Sequence, residues 1–289
     1  MESKQLKWVY LLILSLIWGS SFILIKKGLV GLNAIQVGSF RIIFAAIFLL
    51  IIGFQSLKKI PLHKWKFIAL TSLFGTFIPA YFFAIAETEV DSSIVAILNA
   101  LTPLNTLVLG VLFFGIQSQK RQFLGVFIGL IGCLLLVFNG AANHPNQNYY
   151  FTILVVIATL CYAINVNLIK KHLSDLSSLS ITTGNFAVLF LPALIILSTT
   201  DITQKTHLET TQNSILFVMI LGIVGTGIAN ILFFKLIQMS SPVFATSVTY
   251  LIPIVAFFWG LLDNEMLTQI QFLGALIVLA GVYLSAKKS

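Results

Sequence analysis

Long apolar stretches separated by short polar connections dominate this chain. A window of about 20 mainly apolar residues is long enough to cross a bilayer as a helix. Ten such windows lie at residues 7–26, 34–53, 66–86, 92–114, 122–139, 150–169, 178–198, 214–237, 242–262 and 269–286. The pattern therefore predicts an all-α, polytopic membrane protein with ten transmembrane helices.

Composition supports this fold class and excludes others. Of the 289 residues, 58% are hydrophobic and 9% are charged, whereas soluble domains average about 25% charged residues. The apolar run Trp8–Ile25 is longer than a signal-peptide core, and we interpret it as a retained first helix. The net charge of +8 comes from basic residues that flank the apolar windows, so nucleic acid is not expected as a partner. All four histidines fall in polar connections, which argues against an intramembrane metal centre.

Basic residues are unequally divided between the two ends of the windows. With the N-terminus in the cytoplasm, thirteen basic residues lie at cytoplasmic ends and three, Lys26, Lys27 and Lys205, lie outside. Because loops rich in Lys and Arg stay in the cytoplasm, the sequence predicts that both termini are cytoplasmic.

The second half of the chain repeats the pattern of the first. The offset is 144 residues in the first two helices, 150 in the next two and 149 in the fifth. Matched pairs are Trp18 and Tyr162, Arg41 and Asn185, Gly75 and Gly225, Phe83 and Phe233, Pro103 and Pro253, and Gly132 and Gly281. Each repeat, 1–140 and 149–289, holds five predicted spans. An odd number places the two repeats in opposite orientations, which is an architecture of secondary transporters.

Two matched spans carry polar residues and a proline at mid-depth, where a structural span has little use for them. The first contains Asn99, Thr102 and Asn105, and the second contains Thr249 and Tyr250. These five residues are candidates for binding a polar solute. The alternative is that they form hydrogen bonds between helices and serve packing alone.

Further uncharged candidates lie in other spans. They are Trp18, Tyr81, Tyr162, Asn165 and Asn230. The aromatic residues are suited to stacking on a solute or to filling the interface between the repeats, and the second role is the favoured one.

Arg41 is a charged residue roughly 10 Å inside the second span, by a helical rise of about 1.5 Å per residue. It is a candidate anchor for an anion, with a structural role as the favoured alternative because the second helix is not expected to line a cavity. Glu87, at the end of the third span, is a candidate for ion coupling. A solvated turn is the simpler explanation for Glu87.

Several motifs resemble the EamA-type permeases of the drug/metabolite transporter superfamily. These are Trp18-Gly19-Ser20-Ser21-Phe22 with Lys26, Arg41 before an apolar run, Ser92-Ser93 leading to Leu101-Thr102-Pro103-Leu104, and Asp263-Asn264-Glu265 followed by Gln269, Gln271 and Gly274. Gly115-Ile116-Gln117 departs from the pattern, since the family usually places an acidic residue there. The resemblance implies ten helices, a central cavity lined by helices 1, 3, 4, 6, 8 and 9, and transport of small metabolites such as amino acids, often as export.

The sequence therefore predicts a multi-pass protein of the cell (inner) membrane that moves a small polar metabolite by alternating access. No catalytic residues, cofactor or metal are predicted. Alternatives are a non-transporting membrane scaffold and an integral-membrane enzyme. The expected partners are the solute and the lipid bilayer, with a homodimer left open.

Overall fold

The computed structural model describes residues 3–115, 120–143, 146–205, 207–263 and 268–286. Within these ranges the chain is helical and contains no strand, which confirms the all-α prediction. The helices of the first half are α1 Ser3–Gly19, α2 Ser21–Gly28, α3 Ala34–Leu57, α4 Trp65–Ser72, α5 Ile78–Ala86, α6 Ser92–Asn99, α7 Thr102–Phe114 and α8 Lys120–Asn143. Those of the second half are α9 Thr152–His172, α10 Ser178–Ser198, α11 Ile202–Lys205, α12 Glu209–Ile220, α13 Ala229–Met239, α14 Pro242–Thr246, α15 Ile252–Leu262 and α16 Gln269–Ala286.

Eight helical segments of the described chain are long and apolar enough to cross a membrane. They are Gln5–Gly28, Ala34–Leu57, Leu62–Ala86, Ser92–Phe114, Tyr149–His172, Ser178–Ser198, Glu209–Met239 and Pro242–Leu262. The fifth and tenth predicted windows fall on α8 and α16, so a total of ten crossings stays a prediction. The departure at Ile116 and Gln117, and the pair Asn264 and Glu265, lie outside the described residues.

Five of these spans are not continuous α-helices, and they are numbered here by the ten predicted windows. In the first span, α1 ends at Gly19 and α2 begins at Ser21. The third and eighth each contain a π-helical segment, Leu73–Phe77 between α4 and α5 and Leu221–Ile228 between α12 and α13. The fourth span breaks between α6 and α7, and the ninth passes through a 3₁₀ turn, Ser247–Tyr250, between α14 and α15. The interruptions in the third, fourth, eighth and ninth spans occur in matched positions of the two halves, whereas the one at Ser20 has no counterpart in α9.

Local sequence explains where α3 begins, and this start fixes the depth of Arg41. Asn33 caps the helix, because its Oδ1 accepts from the backbone N–H of Gln36 at 2.8 Å. In return, the Gln36 side chain accepts from the Asn33 backbone N–H at 2.9 Å. This reciprocal capping box satisfies two N–H groups that a helix start leaves without partners.

Packing sorts the helices into a central group and a peripheral pair. Every residue of α6 is buried, and the largest apolar cluster surrounds it. At the periphery α8 packs against α16 with their backbones in contact. A Cβ on Gly281 would lie 2.4 Å from the Gly129 nitrogen, and one on Gly132 would lie 2.8 Å from the Gly274 carbonyl oxygen. These glycines allow the close approach that small-residue motifs give to membrane helices.

Candidate functional site

A cavity opens between four spans. These are the fourth and ninth spans, which are broken, and the third and eighth spans, which contain π-helical segments. It encloses about 790 Å³ of space between protein atoms, including the part that is open to solvent. The sequence-predicted residues that line it are Trp18, Arg41, Asn99, Thr102, Tyr162, Asn165, Asn230 and Thr249. Its walls come from predicted helices 1, 2, 3, 4, 6, 8 and 9.

Three predicted solute-binding residues lie away from the cavity. Asn105 donates from Nδ2 to the Thr159 hydroxyl at 2.9 Å, so it joins α7 to α9. The Tyr81 hydroxyl is hydrogen-bonded to the Ser39 hydroxyl at 2.9 Å, which joins α5 to α3. Tyr250 packs against the apolar cluster around α6. For Asn105 and Tyr81, the structure therefore shows hydrogen bonds between helices in place of a cavity-facing position.

The break in the fourth span presents polar groups to the cavity. Pro103 has no N–H to donate to the carbonyl of Asn99, four residues earlier. The Thr102 hydroxyl donates to that carbonyl instead, at 2.8 Å. In the ninth span the Thr249 hydroxyl donates to the Thr246 carbonyl at 2.9 Å. A threonine thus supports each break, and both threonines face the cavity.

The π-helical segments hold the first helix of the opposite repeat. A π turn leaves backbone groups outside the regular α-helical ladder, and such turns are frequent at functional sites. The carbonyl of Gly225 accepts from Trp18 Nε1 at 2.9 Å. A Cβ on Gly225 would lie 2.9 Å from the Ser21 hydroxyl, and one on Gly75 would lie 2.5 Å from Asn165 Cγ. Since Ser21 and Asn165 are separated by the 144-residue offset, the two halves make matched contacts.

Two matched aromatic pairs contribute to the wall of the cavity. The Trp18 and Phe233 rings meet edge to face, with centroids 4.8 Å apart. The Tyr162 and Phe83 rings stack, with centroids 5.9 Å apart. Each pair joins the first helix of one repeat to the third helix of the other. The cavity therefore has apolar aromatic faces as well as amide groups.

Asn165 is the amide with the most unusual surroundings. Its side chain is 2% exposed and lines the cavity, yet its Oδ1 has no hydrogen-bond partner among the described residues. A buried polar atom without a partner costs about 1–3 kcal/mol. An acceptor kept in this state is suited to a donor group brought by a solute.

Arg41 also reaches the cavity, and the expectation that the second helix stays away from it is wrong. Arg41 Nε donates to the Thr226 hydroxyl at 2.7 Å. The approach depends on Gly222, because a Cβ there would lie 2.8 Å from the Arg41 carbonyl oxygen. Because Gly222 has no side chain, α3 lies directly on the π-helical segment. This close approach lets Arg41 Nε reach the Thr226 hydroxyl in the same segment.

Glu87 occupies a different position. It lines a separate depression beside Lys26, and one of its carboxylate oxygens accepts from the Ser92 hydroxyl at 3.0 Å. In the described parts of the chain, no group of three His, Cys, Asp or Glu side chains is placed to hold a metal ion.

Ion pairs lie at both ends of the bundle. At one end, Lys26 Nζ lies 2.7 Å from an Asp263 carboxylate oxygen, and Lys27 also pairs with this carboxylate. The hydrogen bonds from Lys26 and Lys27 lower the pKa of Asp263. At the other end, Lys64 forms an ion pair with Asp175 and lowers the pKa of that carboxyl in the same way.

Among the cavity-lining residues that the sequence did not single out are Thr226, Phe83 and Phe233. Both phenylalanines belong to a matched pair in the repeat, which is the signal that would have found them. Thr226 matches Thr76 at the same 150-residue offset, and Thr76 also lines the cavity. Recurrence at matched depth is therefore a better guide here than polarity alone.

Comparison with known proteins agrees with this architecture. The model of the EamA-like transporter family matches residues 6–138 and again residues 150–287. The uncharacterized inner membrane transporter YedA of Escherichia coli (strain K12) is 27% identical over 274 residues, covering 94% of this chain and 87% of YedA. A probable amino-acid metabolite efflux pump of Salmonella typhimurium is 24% identical over 284 residues, covering 95% and 92%.

A solved crystal structure shares the fold with a TM-score of 0.67 at 14% identity, covering 98% of this chain and 96% of the other. The two family matches together span nearly the whole sequence, one on each side of its midpoint. The chain is a multi-pass membrane protein that belongs to the EamA-like transporter family.

Proposed function

We propose that the protein is a secondary transporter of a small polar metabolite, an amino acid or a related solute, in the inner membrane. Residues 1–140 and 149–289 act as two five-helix repeats of opposite orientation, with both termini in the cytoplasm. The solute binds in the cavity between them and crosses by alternating access, with export as the net direction. The name of YedA as an inner membrane transporter supports the proposed location. The name of the probable amino-acid metabolite efflux pump supports the proposed class of solute and the direction of transport.

One observation carries the proposal. The cavity combines matched aromatic faces with amides, above all that of Asn165, whose Oδ1 has no hydrogen-bond partner among the described residues. A non-transporting membrane scaffold would not need a cavity lined by aromatic rings and amides. An amino acid offers ammonium N–H donors to the amide oxygens and an apolar part to the rings, which matches this lining.

The test is a transport screen with purified protein in proteoliposomes, using the twenty amino acids and their common derivatives, with and without a pH gradient. We expect at least one solute to enter faster than in empty vesicles. Asn165→Ala should reduce that flux, while Asn105→Ala, which changes a half-buried amide outside the cavity, should leave it near the wild-type value. Absence of flux for every solute from a folded protein would overturn the proposal and favour a scaffold.

The pH gradient separates two modes of operation. Glu87 lies outside the cavity, so we expect flux to follow the solute gradient. A flux that requires the pH gradient and is lost in Glu87→Gln would instead make Glu87 a coupling residue.

A further inference from the structure

We propose that Arg41, held in place by Thr226, forms an anion subsite in the cavity wall that binds a carboxylate of the transported solute. This inference rests on the proposed function and adds to it the charge of the solute group and the residues that select it. Thr226 acts as a positioning residue, and the guanidinium makes the contact.

The hydrogen bonds of Arg41 leave most of its donors available. A guanidinium has five N–H donors. Within the described chain, Arg41 makes one side-chain hydrogen bond, from Nε to Thr226, at 2.7 Å. The terminal nitrogens, which form the fork that binds a carboxylate in two parallel hydrogen bonds, have no protein acceptor there. The side chain lines the cavity, so a solute can reach this fork.

No carboxylate among the described residues forms an ion pair with Arg41 within 4.0 Å. Tyr162 and then Glu87 are the titratable groups that interact electrostatically with Arg41 from a distance, and the Glu87 carboxylate accepts from the Ser92 hydroxyl at 3.0 Å outside the cavity. A cation at depth in a membrane protein is costly unless it is paired or hydrated. A monoanionic group of the solute supplies the missing partner.

The matched position in the second repeat shows what a purely structural polar residue looks like in this fold. Asn185 is fully buried and does not line the cavity. In the orientation that satisfies its surroundings, its amide donates to the Ile68 carbonyl at 3.1 Å and to the Thr71 hydroxyl at 2.9 Å. Protein groups therefore satisfy Asn185, whereas Arg41 lines the cavity and its terminal nitrogens have no acceptor among the described residues. The contrast favours a binding role for Arg41 over a packing role.

The π-helical segment explains how Thr226 positions the guanidinium. The Thr226 hydroxyl donates to the Leu221 carbonyl, five residues earlier, at 3.1 Å. Its hydrogen is thereby used within the helix, and its lone pairs point outward to accept from Arg41 Nε. Gly222 brings α3 close enough for this contact. Fixing Nε orients the planar fork, which a lysine at this position could not reproduce.

The experiment compares solutes that differ only at the carboxylate. Leucine with leucinamide, phenylalanine with phenylalaninamide, threonine with threoninamide, and inorganic phosphate are titrated against purified protein by thermal-shift binding. The same compounds then compete for flux in proteoliposomes. We expect the wild type to bind at least one acid about 10- to 100-fold more tightly than its amide, the range for hydrogen bonds to charged groups.

Four variants test the roles of the two residues. Arg41→Gln should reduce this preference to within about threefold, and Arg41→Lys should recover only part of it, because an ammonium lacks the fork. Thr226→Val should weaken binding of the acid several-fold and leave binding of the matching amide solute unchanged. Thr226→Ser keeps the hydroxyl and should bind the acid as tightly as the wild type. A merely structural Thr226 would change both affinities together.

The outcomes separate the two proposals. A wild-type protein that transports solutes but binds acid and amide equally well overturns the anion subsite and leaves the transporter standing. The anion subsite is also overturned if the protein prefers phosphate over every acid, or if Arg41→Gln still prefers the acid over its amide. A folded protein that moves no solute in the transport screen overturns the proposed function itself.

Discussion

At the scale of single residues, asparagine side chains inside the helix bundle have different roles in this protein. Asn105 is satisfied by Thr159, and Asn167 donates to the carbonyls of Ala163 and Thr106, so both tie helices together. Asn165 lines the cavity, and over the described residues its side chain makes no such contact. The surroundings of each amide, more than its depth, distinguish a structural role from a binding role.

This distinction predicts opposite effects for two alanine substitutions. Asn105→Ala removes a hydrogen bond and leaves the Thr159 hydroxyl with fewer partners, so it should lower the free energy of unfolding by about 1 kcal/mol. Asn165→Ala removes an atom that has no partner, so stability should be unchanged or slightly higher, while solute affinity falls about fivefold or more. Thermal melting in one detergent and solute titration measure the two quantities. A loss of stability in Asn165→Ala with normal solute affinity would contradict this assignment.

The sequence located Asn99, Thr102, Asn165 and Asn230 at the right depth but could not determine which way each side chain points. Rotation about a helix axis is decided by packing against neighbours. In the fourth span it also depends on the break at Pro103, which separates Asn99 from Asn105. Arg41 shows the same limit, because its access to the cavity depends on Gly222, which lies in a π-helical segment 181 residues later in the sequence (222 − 41).

At the scale of elements, the two helix breaks and the two π-helical segments shape the cavity. The sequence predicted the break at Pro103, since proline removes a backbone donor. It did not predict the π-helical segments, because adding a residue to one turn leaves composition and hydropathy almost unchanged. The sequence does contain one related signal, the match of Gly75 with Gly225. Both glycines lie in the π-helical segments.

The break at Pro103 leads to a double-substitution prediction. Thr102→Val leaves the Asn99 carbonyl without a donor and should cost about 1–3 kcal/mol of stability. Adding Pro103→Ala supplies a backbone N–H at the right position, so the double variant should be more stable than Thr102→Val alone. Thermal melting of the single and double variants gives the coupling energy.

Thr106→Val is the matched control for this pair. Its hydroxyl donates to the Thr102 carbonyl at 2.8 Å, four residues earlier, in an unbroken stretch of helix. The loss should therefore be smaller than for Thr102→Val, and Pro103→Ala should not rescue it. Simple additivity of Thr102→Val and Pro103→Ala would show that the hydroxyl does not replace the missing donor.

At the scale of the whole molecule, ion pairs at the ends of the bundle connect matched halves. Lys26 and Lys27 extend from α2, while Asp263 follows α15. Folding lowers the pKa of Asp263, so the ion pairs stabilise the protein at neutral pH. This contribution is lost as the pH falls through the lowered pKa, because the carboxyl is then protonated in both states.

Asp263→Asn should therefore lower the melting temperature at pH 7 by an amount that shrinks on acidification. Since the Asp263 side chain is 19% exposed and that of Lys26 is 33% exposed, we expect a loss of about 0.5–1 kcal/mol. Melting curves of wild type and variant between neutral and acidic pH measure it. Asp175→Asn is a useful comparison, because its carboxylate is 63% exposed and should contribute less. An equal difference at every pH would exclude an ionic origin.

The glycine contacts between α8 and α16 affect how mutational data on this protein should be interpreted. Neither Gly132 nor Gly281 lines the cavity, yet any side chain there would collide with the backbone of the opposite helix. A mutational scan scored only by cell growth would therefore record severe defects far from the solute, and milder ones at Asn165 or Thr226. Separating assembly defects from binding defects requires measuring the amount of protein in the membrane for every variant.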